Sequence, residues 1–389
     1  MKKRILIVNN NMHIGGVQKA LANLLNCVYG KYDISLLLFN PKGKLFAELP
    51  NNINIISVKS PYKYLGLSKN DVKRFSFDYF GRCFWALLCR ILGRTKTIGI
   101  MSLFQKNIEG YDIVISFLHN GGEKAFYGGC NDFVLRHVKA EKKISVLHCD
   151  YRKCGANNSN NAKLYEKFDV IAACSEGCRN SFVSALPQYS EKTVILYNCH
   201  NFKRLDFLAD SMKVELSDKY INIVTVARLG KEKGVLRAID VISRLPDMYK
   251  QKIRYYIIGN GIEMEQALST VKSNSLEDTV IFLGEMENPY SYVKAADLLL
   301  MSSYSEAAPL VIGEAAFFST PVLSTETSSA VEMIQDTGFG WVTENNEIQL
   351  YNKLFELISN PDLIHEKSKS MQGKFNNNSA LNQFDYLIG

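Results

Sequence analysis

The chain has 389 residues, 47% of them hydrophobic and 22% charged, with a formal net charge of +7. That length exceeds what one compact core accommodates and suits two α/β domains, while the composition excludes long disorder. The positive balance favours nucleic acid, anionic lipid or phosphorylated substrates as partners; no motif of stacking aromatics for RNA or DNA stands out, so nucleic acid is the weakest of the three.

Met1-Lys2-Lys3-Arg4 leads through a handful of apolar residues to Asn9-Asn10-Asn11, which reads as a first strand rather than a secretory signal. No run of about eighteen uncharged apolar residues occurs, so no membrane-spanning helix is expected. The nine cysteines form no Cys-x-x-Cys pair and read as reduced cytosolic thiols. His148, Cys149, Cys154, Cys174 and Cys178 invite a zinc site, but their spacing fits no familiar zinc pattern, and buried small hydrophobes are the preferred reading.

Residues 3–10 form a continuous apolar strand of the kind found in parallel sheets covered on both faces. Gly15 and Gly16 lie in the turn before a helix over 17–27, where backbone amides can approach a phosphate, although a simple tight turn needs the same residues. The turn is not Gly-x-Gly-x-x-Gly, which weighs against a nicotinamide dehydrogenase. Strands at 33–39, 53–58, 111–117, 143–147, 170–174 and 194–197 complete a doubly wound first domain over 1–200. Within it, 71–96 interleaves Phe75, Phe77, Phe80, Phe84 and Trp85 with Lys73, Arg74, Arg82, Arg90, Arg94 and Lys96. It reads equally as a helix lying in a membrane surface and as one buried against the sheet with its cations solvated. His119 and His148 each end a predicted strand, at the sheet edge where such folds bind ligands. Residues 200–219 are charged and aperiodic, as suits a hinge.

The second domain, 201–368, opens with a strand at 222–227 and the turn Arg228-Leu229-Gly230-Lys231-Glu232-Lys233-Gly234, followed by a helix over 235–245. Arg228 and Lys233 sit on either side of that turn and can reach one anion. A strand at 254–258 ends in Gly259-Asn260-Gly261, and another at 280–283 ends at Gly284-Glu285-Met286. The apolar run 297–301 reads as a buried strand. Beyond it, Pro309 suits a first helical position, 310–318 a helix, and Pro321-Val322-Leu323 the next strand. The amides of Leu310 and Val311 face outward from the helix start, with Glu306 in the loop and Glu314 within the helix beside them. This is an anion pocket flanked by hydroxyl-binding acids. An edge strand at 338–342 and a helix at 348–358 follow.

The string Ser303-x-x-Glu306-x-x-Pro309-Leu310-Val311-x-x-Glu314-Ala315, closed by Pro321-Val322, resembles the donor signature of retaining nucleotide-sugar glycosyltransferases of family 4, of the bacterial capsule, exopolysaccharide and lipopolysaccharide type. Arg228-x-x-x-x-Lys233-Gly234 resembles the second signature of the same family. The resemblance spans nearly the whole chain and is specific at four places. It implies the GT-B fold, two doubly wound Rossmann-like domains facing across a cleft, with the C-terminal residues 369–389 crossing back to the first. By the same resemblance, Gly15, Gly16, Arg228, Lys233, Leu310 and Val311 hold the donor diphosphate, and Glu306 and Glu314 the sugar and ribose. Gly284 and Met286 would read the base, His148 would face the reacting sugar, and His119 would line the acceptor side. It also favours a membrane role for 71–96, because many such enzymes act on lipid-linked acceptors.

The expected reaction is sugar transfer, most readily from a UDP-sugar, to a lipid-linked or surface-polysaccharide acceptor. The enzyme would be cytoplasmic, peripheral on the inner membrane face, and free of cofactor: the two cations meet the leaving phosphate, and the chain contains no Asp-x-Asp metal motif. A glycosidase with paired carboxylates leaves the Arg-Lys pair and the Gly-Gly turn unexplained. Two rivals stay open, a GT-B nucleotide-sugar epimerase and a non-catalytic sugar-nucleotide-binding partner subunit. The second rests on Ala307, where the family usually has Gly. Ser319-Thr320-Pro321 likewise replaces a more usual Gly-x-Pro.

Overall fold

Apolar residues at consecutive positions cannot all be buried by a sheet with one wet face, so the strands of this chain lie in sheets covered on both sides. In the computed structural model, which describes residues 2–68 and 71–389, β1 (Arg4–Asn9) is buried at every position after Arg4. It is joined by β2 (Asp33–Leu38), β3 (Asn54–Ser57), β4 (Ile113–Ser116), β5 (Lys142–Leu147), β6 (Val170–Ala173) and β7 (Thr193–Ile195). All pair in parallel in the order β3-β2-β1-β4-β5-β6-β7. The helix Gly16–Val28 buries Ala20, Leu21, Leu24 and Leu25. The main core gathers Leu6, Val8, Phe39, Phe133, Tyr165 and Phe182.

A buried polar network runs through this first unit. The Arg94 guanidinium donates to Asp132 Oδ2 at 2.8 Å and to Asn161 Oδ1 at 2.6 Å. Asn120, immediately after His119, donates to the same Asp132 oxygen at 3.0 Å and accepts from the Gly129 amide at 3.1 Å. The loop after β4 is thereby tied to the helices Arg94–Ser102, Cys130–His137 and Ser159–Glu166.

The stretch 71–96 is not one helix. Ser76 caps Phe77–Leu92 by accepting from the Tyr79 amide at 3.2 Å, and Gly93, at φ 81°, ends that helix before Arg94–Ser102 begins. The stretch is part buried and part exposed. Trp85 and Cys89 are buried and Arg94 is a core residue, so its cation is not solvated. Phe77, Phe80, Phe84, Leu87 and Ile91, spaced three and four apart, are exposed.

The second unit, His200–Asn377, repeats the architecture. Its strands are β8 (Ile221–Val226), β9 (Ile253–Ile258), β10 (Val280–Gly284), β11 (Leu298–Met301), β12 (Val322–Thr325) and β13 (Gly340–Thr343). They form a parallel sheet in the order β10-β9-β8-β11-β12-β13, with β13 at one edge. The expected hinge at 200–219 is instead half helix. Phe202–Ser211 buries Leu205 and Ala209 against Tyr290, and its Leu208 and Ala209 carbonyls accept from Asn288 at 2.7 Å and Ser291 at 2.9 Å. Its dense charges masked a short apolar face. Of the expected C-terminal crossing segment 369–389, only Asn378–Gly389 belongs to the first unit. There Asp385 accepts from the Tyr32 hydroxyl at 2.7 Å, and the Leu387 carbonyl from Lys142 at 2.7 Å.

Because the Arg94–Asp132 pair is almost wholly buried, Arg94→Ala leaves an uncompensated carboxylate and is expected to cost about 3–5 kcal/mol. Removing the exposed Lys139–Glu109 pair at 2.7 Å should cost about 1 kcal/mol or less. Denaturant unfolding of the two variants measures the contrast.

Candidate functional site

In a doubly wound sheet the two strands at which the winding reverses send their following loops off on opposite faces, leaving a crevice at the carboxyl edge. In the second unit those strands are β8 and β11. The loop after β8 carries Arg228 and Lys233, and the loop after β11 carries Glu306. Two of these residues meet: Lys233 Nζ lies 2.7 and 2.8 Å from the two Glu306 oxygens, and Ser303 Oγ donates to Glu306 Oε1 at 2.8 Å.

The two loops are locked together by backbone contacts. The Tyr304 amide donates to the Glu232 carbonyl at 2.8 Å, and Ser302 Oγ to the Gly234 carbonyl at 2.7 Å. Gly234 has φ 61°, and a Cβ there would lie 2.1 Å from the Ser302 carbonyl oxygen, so no larger residue fits. Arg228 does not join Lys233; it pairs with Glu232 at 2.6 Å, and its guanidinium holds that carboxyl below the ordinary range. The two cations that flank the turn are held apart, on Glu232 and on Glu306. Each cation takes the nearest carboxylate.

The helix that follows is Leu310–Phe317, with Pro309 extended (φ −69°, ψ 123°) as its cap rather than its first residue. Leu310 and Val311 are then first-turn residues whose amides have no acceptor within the helix. Glu314 is buried one turn further on and accepts from the Tyr290 hydroxyl at 3.4 Å. Gly284, at φ 71°, ends β10 and Met286 follows it, on the same carboxyl edge, two strands from β8. The Gly259-Asn260-Gly261 turn is structural. A Cβ on Gly259 would meet the Ala227 carbonyl at 1.8 Å, and one on Gly261 the Leu229 carbonyl at 2.2 Å.

In the first unit the same edge brings together the loops after β1, β4 and β5. Gly15, in extended backbone, caps the helix Gly16–Val28, and Gly16 has open space around its α-carbon. His148 packs its ring on Phe117 at 4.7 Å between centroids. Burial pushes its pKa down to about 3, with His119 adding to the effect; burial alone pushes His119 down to about 4. Both rings are neutral at pH 7. Among the described residues His148 Nε2 and His119 Nδ1 have no hydrogen-bond partner. The cluster His148 with four cysteines, whose spacing fits no zinc pattern, is not what gathers. Cys174 and Cys178 are buried as small apolar groups, whereas Cys149 and Cys154 cluster with His119. The third member comes from a different strand, which local spacing cannot reveal.

Sequence reasoning missed the residues that hold the Glu306 loop. Arg237 is buried, donates from Nε to the Ser302 carbonyl at 3.0 Å and from Nη1 to Asn345 Oδ1 at 2.7 Å, and lies 3.9 Å over the Tyr304 ring. Thr325 Oγ1 donates to the Ser303 carbonyl at 2.7 Å. An arginine amid the apolar positions of the helix Val235–Ser243 was the available signal.

Residues 207–375 match the model of the family glycosyl transferases group 1. The chain is 25% identical over 382 residues to the N-acetylgalactosamine-N,N'-diacetylbacillosaminyl-diphospho-undecaprenol 4-alpha-N-acetylgalactosaminyltransferase of Campylobacter jejuni, covering 96% of each chain. It is 25% identical to the amylovoran biosynthesis glycosyltransferase AmsD of Erwinia amylovora, covering 93% of this chain and 92% of that one. Among solved structures, Anabaena HepE in complex with UDP superposes with a TM-score of 0.67 at 16% identity, covering 99% of both chains. That match identifies the fold as GT-B.

The two neutral histidines make the first unit sensitive to acid. The unfolded chain binds protons at both as pH falls through about 6.5, while the folded chain does not until about 4. Their contribution to stability is therefore complete above about pH 7 and is lost progressively between about 6.5 and 3. Unfolding followed against pH should show this slope, flattened in His119→Gln/His148→Gln.

Proposed function

We propose that this chain, a GT-B glycosyltransferase with a group 1 domain at residues 207–375, moves a sugar from a UDP-sugar to a lipid-linked or surface-polysaccharide acceptor, with retention and with no metal ion at the diphosphate. The observation that carries the reading is the Lys233–Glu306 pair at the reversal point of the second sheet. It sets a cation for phosphate and a carboxylate for sugar hydroxyls side by side. The acceptor class is supported by relatives named for undecaprenol-linked sugars, and the nucleotide by the UDP held in a protein of similar fold.

As the bond between the anomeric carbon and the phosphate oxygen breaks, the electron pair leaves with UDP and negative charge grows on the diphosphate. Lys233, Arg228 and the first-turn amides of Leu310 and Val311 meet that charge. A unit charge pair about 4 Å apart is worth roughly 4 kcal/mol at an effective dielectric near 20, so redirecting Lys233 from Glu306 toward phosphate matters to the barrier. Glu306, held by Ser303, then takes sugar hydroxyls, and Glu314 the ribose. Gly284 and Met286 read the base through backbone groups. In the first unit, Gly15 and Gly16 serve phosphate, neutral His148 accepts a hydrogen bond from the reacting sugar, and His119 lines the acceptor side.

Nucleotide release from UDP-, GDP- and ADP-sugars, with and without membrane extract, tests this. Release from a UDP-sugar should require the extract and fall by about 10²–10³ in Lys233→Ala and Glu306→Ala. Interconversion of donors without extract would indicate an epimerase, and binding without turnover a partner subunit in which Ala307 marks the altered site.

We further propose that the exposed stripe Phe77, Phe80, Phe84, Leu87 and Ile91, flanked by exposed Lys73, Arg74 and Arg90, rests on an anionic membrane surface. Among the described residues no helix is long and apolar enough to span a bilayer. Co-flotation with vesicles containing an anionic lipid should be strong, weaken with salt, and drop at least about tenfold in Phe84→Glu/Leu87→Glu. Unchanged flotation of that variant would remove the stripe from any membrane role.

A further inference from the structure

Three soft donors converge in the first unit outside the groups assigned to diphosphate and sugar. A ring nitrogen of His119 and the thiols of Cys149 and Cys154 lie within 4.8 Å of one another, and the two sulfurs are 3.0 Å apart. They arrive from separate places: His119 follows β4, Cys149 follows β5, and Cys154 ends the short turn Asp150–Cys154, whose amide donates to the Asp150 carbonyl at 2.9 Å. A second feature points to a ligand. Nδ1 of His119 is buried without a hydrogen-bond partner, a costly state for a polar atom that a bonded ion would relieve.

We infer that His119, Cys149 and Cys154 form a binding site for a soft divalent metal ion, zinc above all. Two thiols and an imidazole select zinc or copper(I) over magnesium, calcium and manganese, which prefer oxygen ligands. The donor separations need only small side-chain rotations to surround one ion at ordinary zinc–sulfur and zinc–nitrogen bond lengths. Two thiol protons leave to solvent as the two zinc–sulfur bonds form. Three protein donors leave a tetrahedral ion one position short, which water would fill. Such an ion would clamp the loop after β4 to the loop after β5, and so fix the segment next to His148. This is separate from the diphosphate, where the reaction is assigned to Lys233 and Arg228. Sugar transfer and zinc binding can therefore fail independently.

The test is zinc and cobalt(II) binding by the reduced full-length chain, followed by competition with a chromogenic chelator and by the thiolate-to-cobalt charge-transfer band. One ion per chain is expected, with that band present and with a rise in thermal midpoint on adding zinc. Cys154→Ser and His119→Gln should each weaken binding at least about tenfold. Cys83→Ser, which removes an exposed thiol elsewhere in the same unit, should leave it unchanged. The inference is overturned if the reduced chain binds no zinc while the protein isolated without reductant carries a Cys149–Cys154 disulfide. It is overturned equally if Cys154→Ser and His119→Gln bind zinc as the unaltered chain does.

Discussion

The winding of each parallel sheet reverses between two adjacent strands, and the placement of functional side chains depends on that reversal. In the second unit β8 and β11 are neighbours in the sheet although more than seventy residues separate them in the chain. Their following loops must leave the same edge side by side. A lysine at the end of one and a glutamate in the other then meet at 2.7 Å. Nothing local to either loop requires this contact; the strand order does.

Holding the loops in register is a separate problem, and the chain solves it with contacts remote from any charge transfer. Gly234 allows the backbone of one loop to touch the carbonyl of Ser302, and Arg237 anchors that same carbonyl from beneath. Thr325 and Asn345 bind the Ser303 carbonyl from β12 and from the turn after β13. Glu306 thus follows a segment whose Ser302, Ser303 and Tyr304 carbonyls are already bonded. Its side chain is held by Lys233 and Ser303, contacts separate from those that fix the backbone.

The first unit uses burial rather than pairing at its histidines. His119 and His148 sit at the ends of adjacent strands where desolvation keeps both rings neutral. The loop between them and the surrounding helices is braced by the Arg94–Asp132–Asn120 network. Neutral imidazoles suit hydrogen bonding and soft-metal coordination, and are poorly suited to donating a proton at pH 7. A surface helix with an exposed aromatic stripe lies directly before this network in the chain, broken from it only at Gly93.

Much was legible without coordinates, because apolar runs of four to six residues separated by amphipathic helices can form little besides parallel α/β sheets. The thirteen strands among the described residues lie within two residues of where hydrophobic patterning puts them, and Gly259-Asn260-Gly261 is a turn as expected, although the need for its glycines comes from the distant Ala227 and Leu229 carbonyls. The residue types of the proposed anion pocket were legible for the same reason: strand-to-helix turns expose amides, and the cations and carboxylates lie within a few residues of those turns. What only the tertiary structure decided were pairings between distant segments. Arg228 takes Glu232 while Lys233 takes Glu306, Arg94 leaves a row of surface cations for a buried aspartate, and His119 rather than His148 joins Cys149 and Cys154. Periodicity reports which face of an element is apolar, but the partner of a charge or thiol is set by strand order and loop geometry, which bring together residues whose separation along the chain carries no trace of their contact.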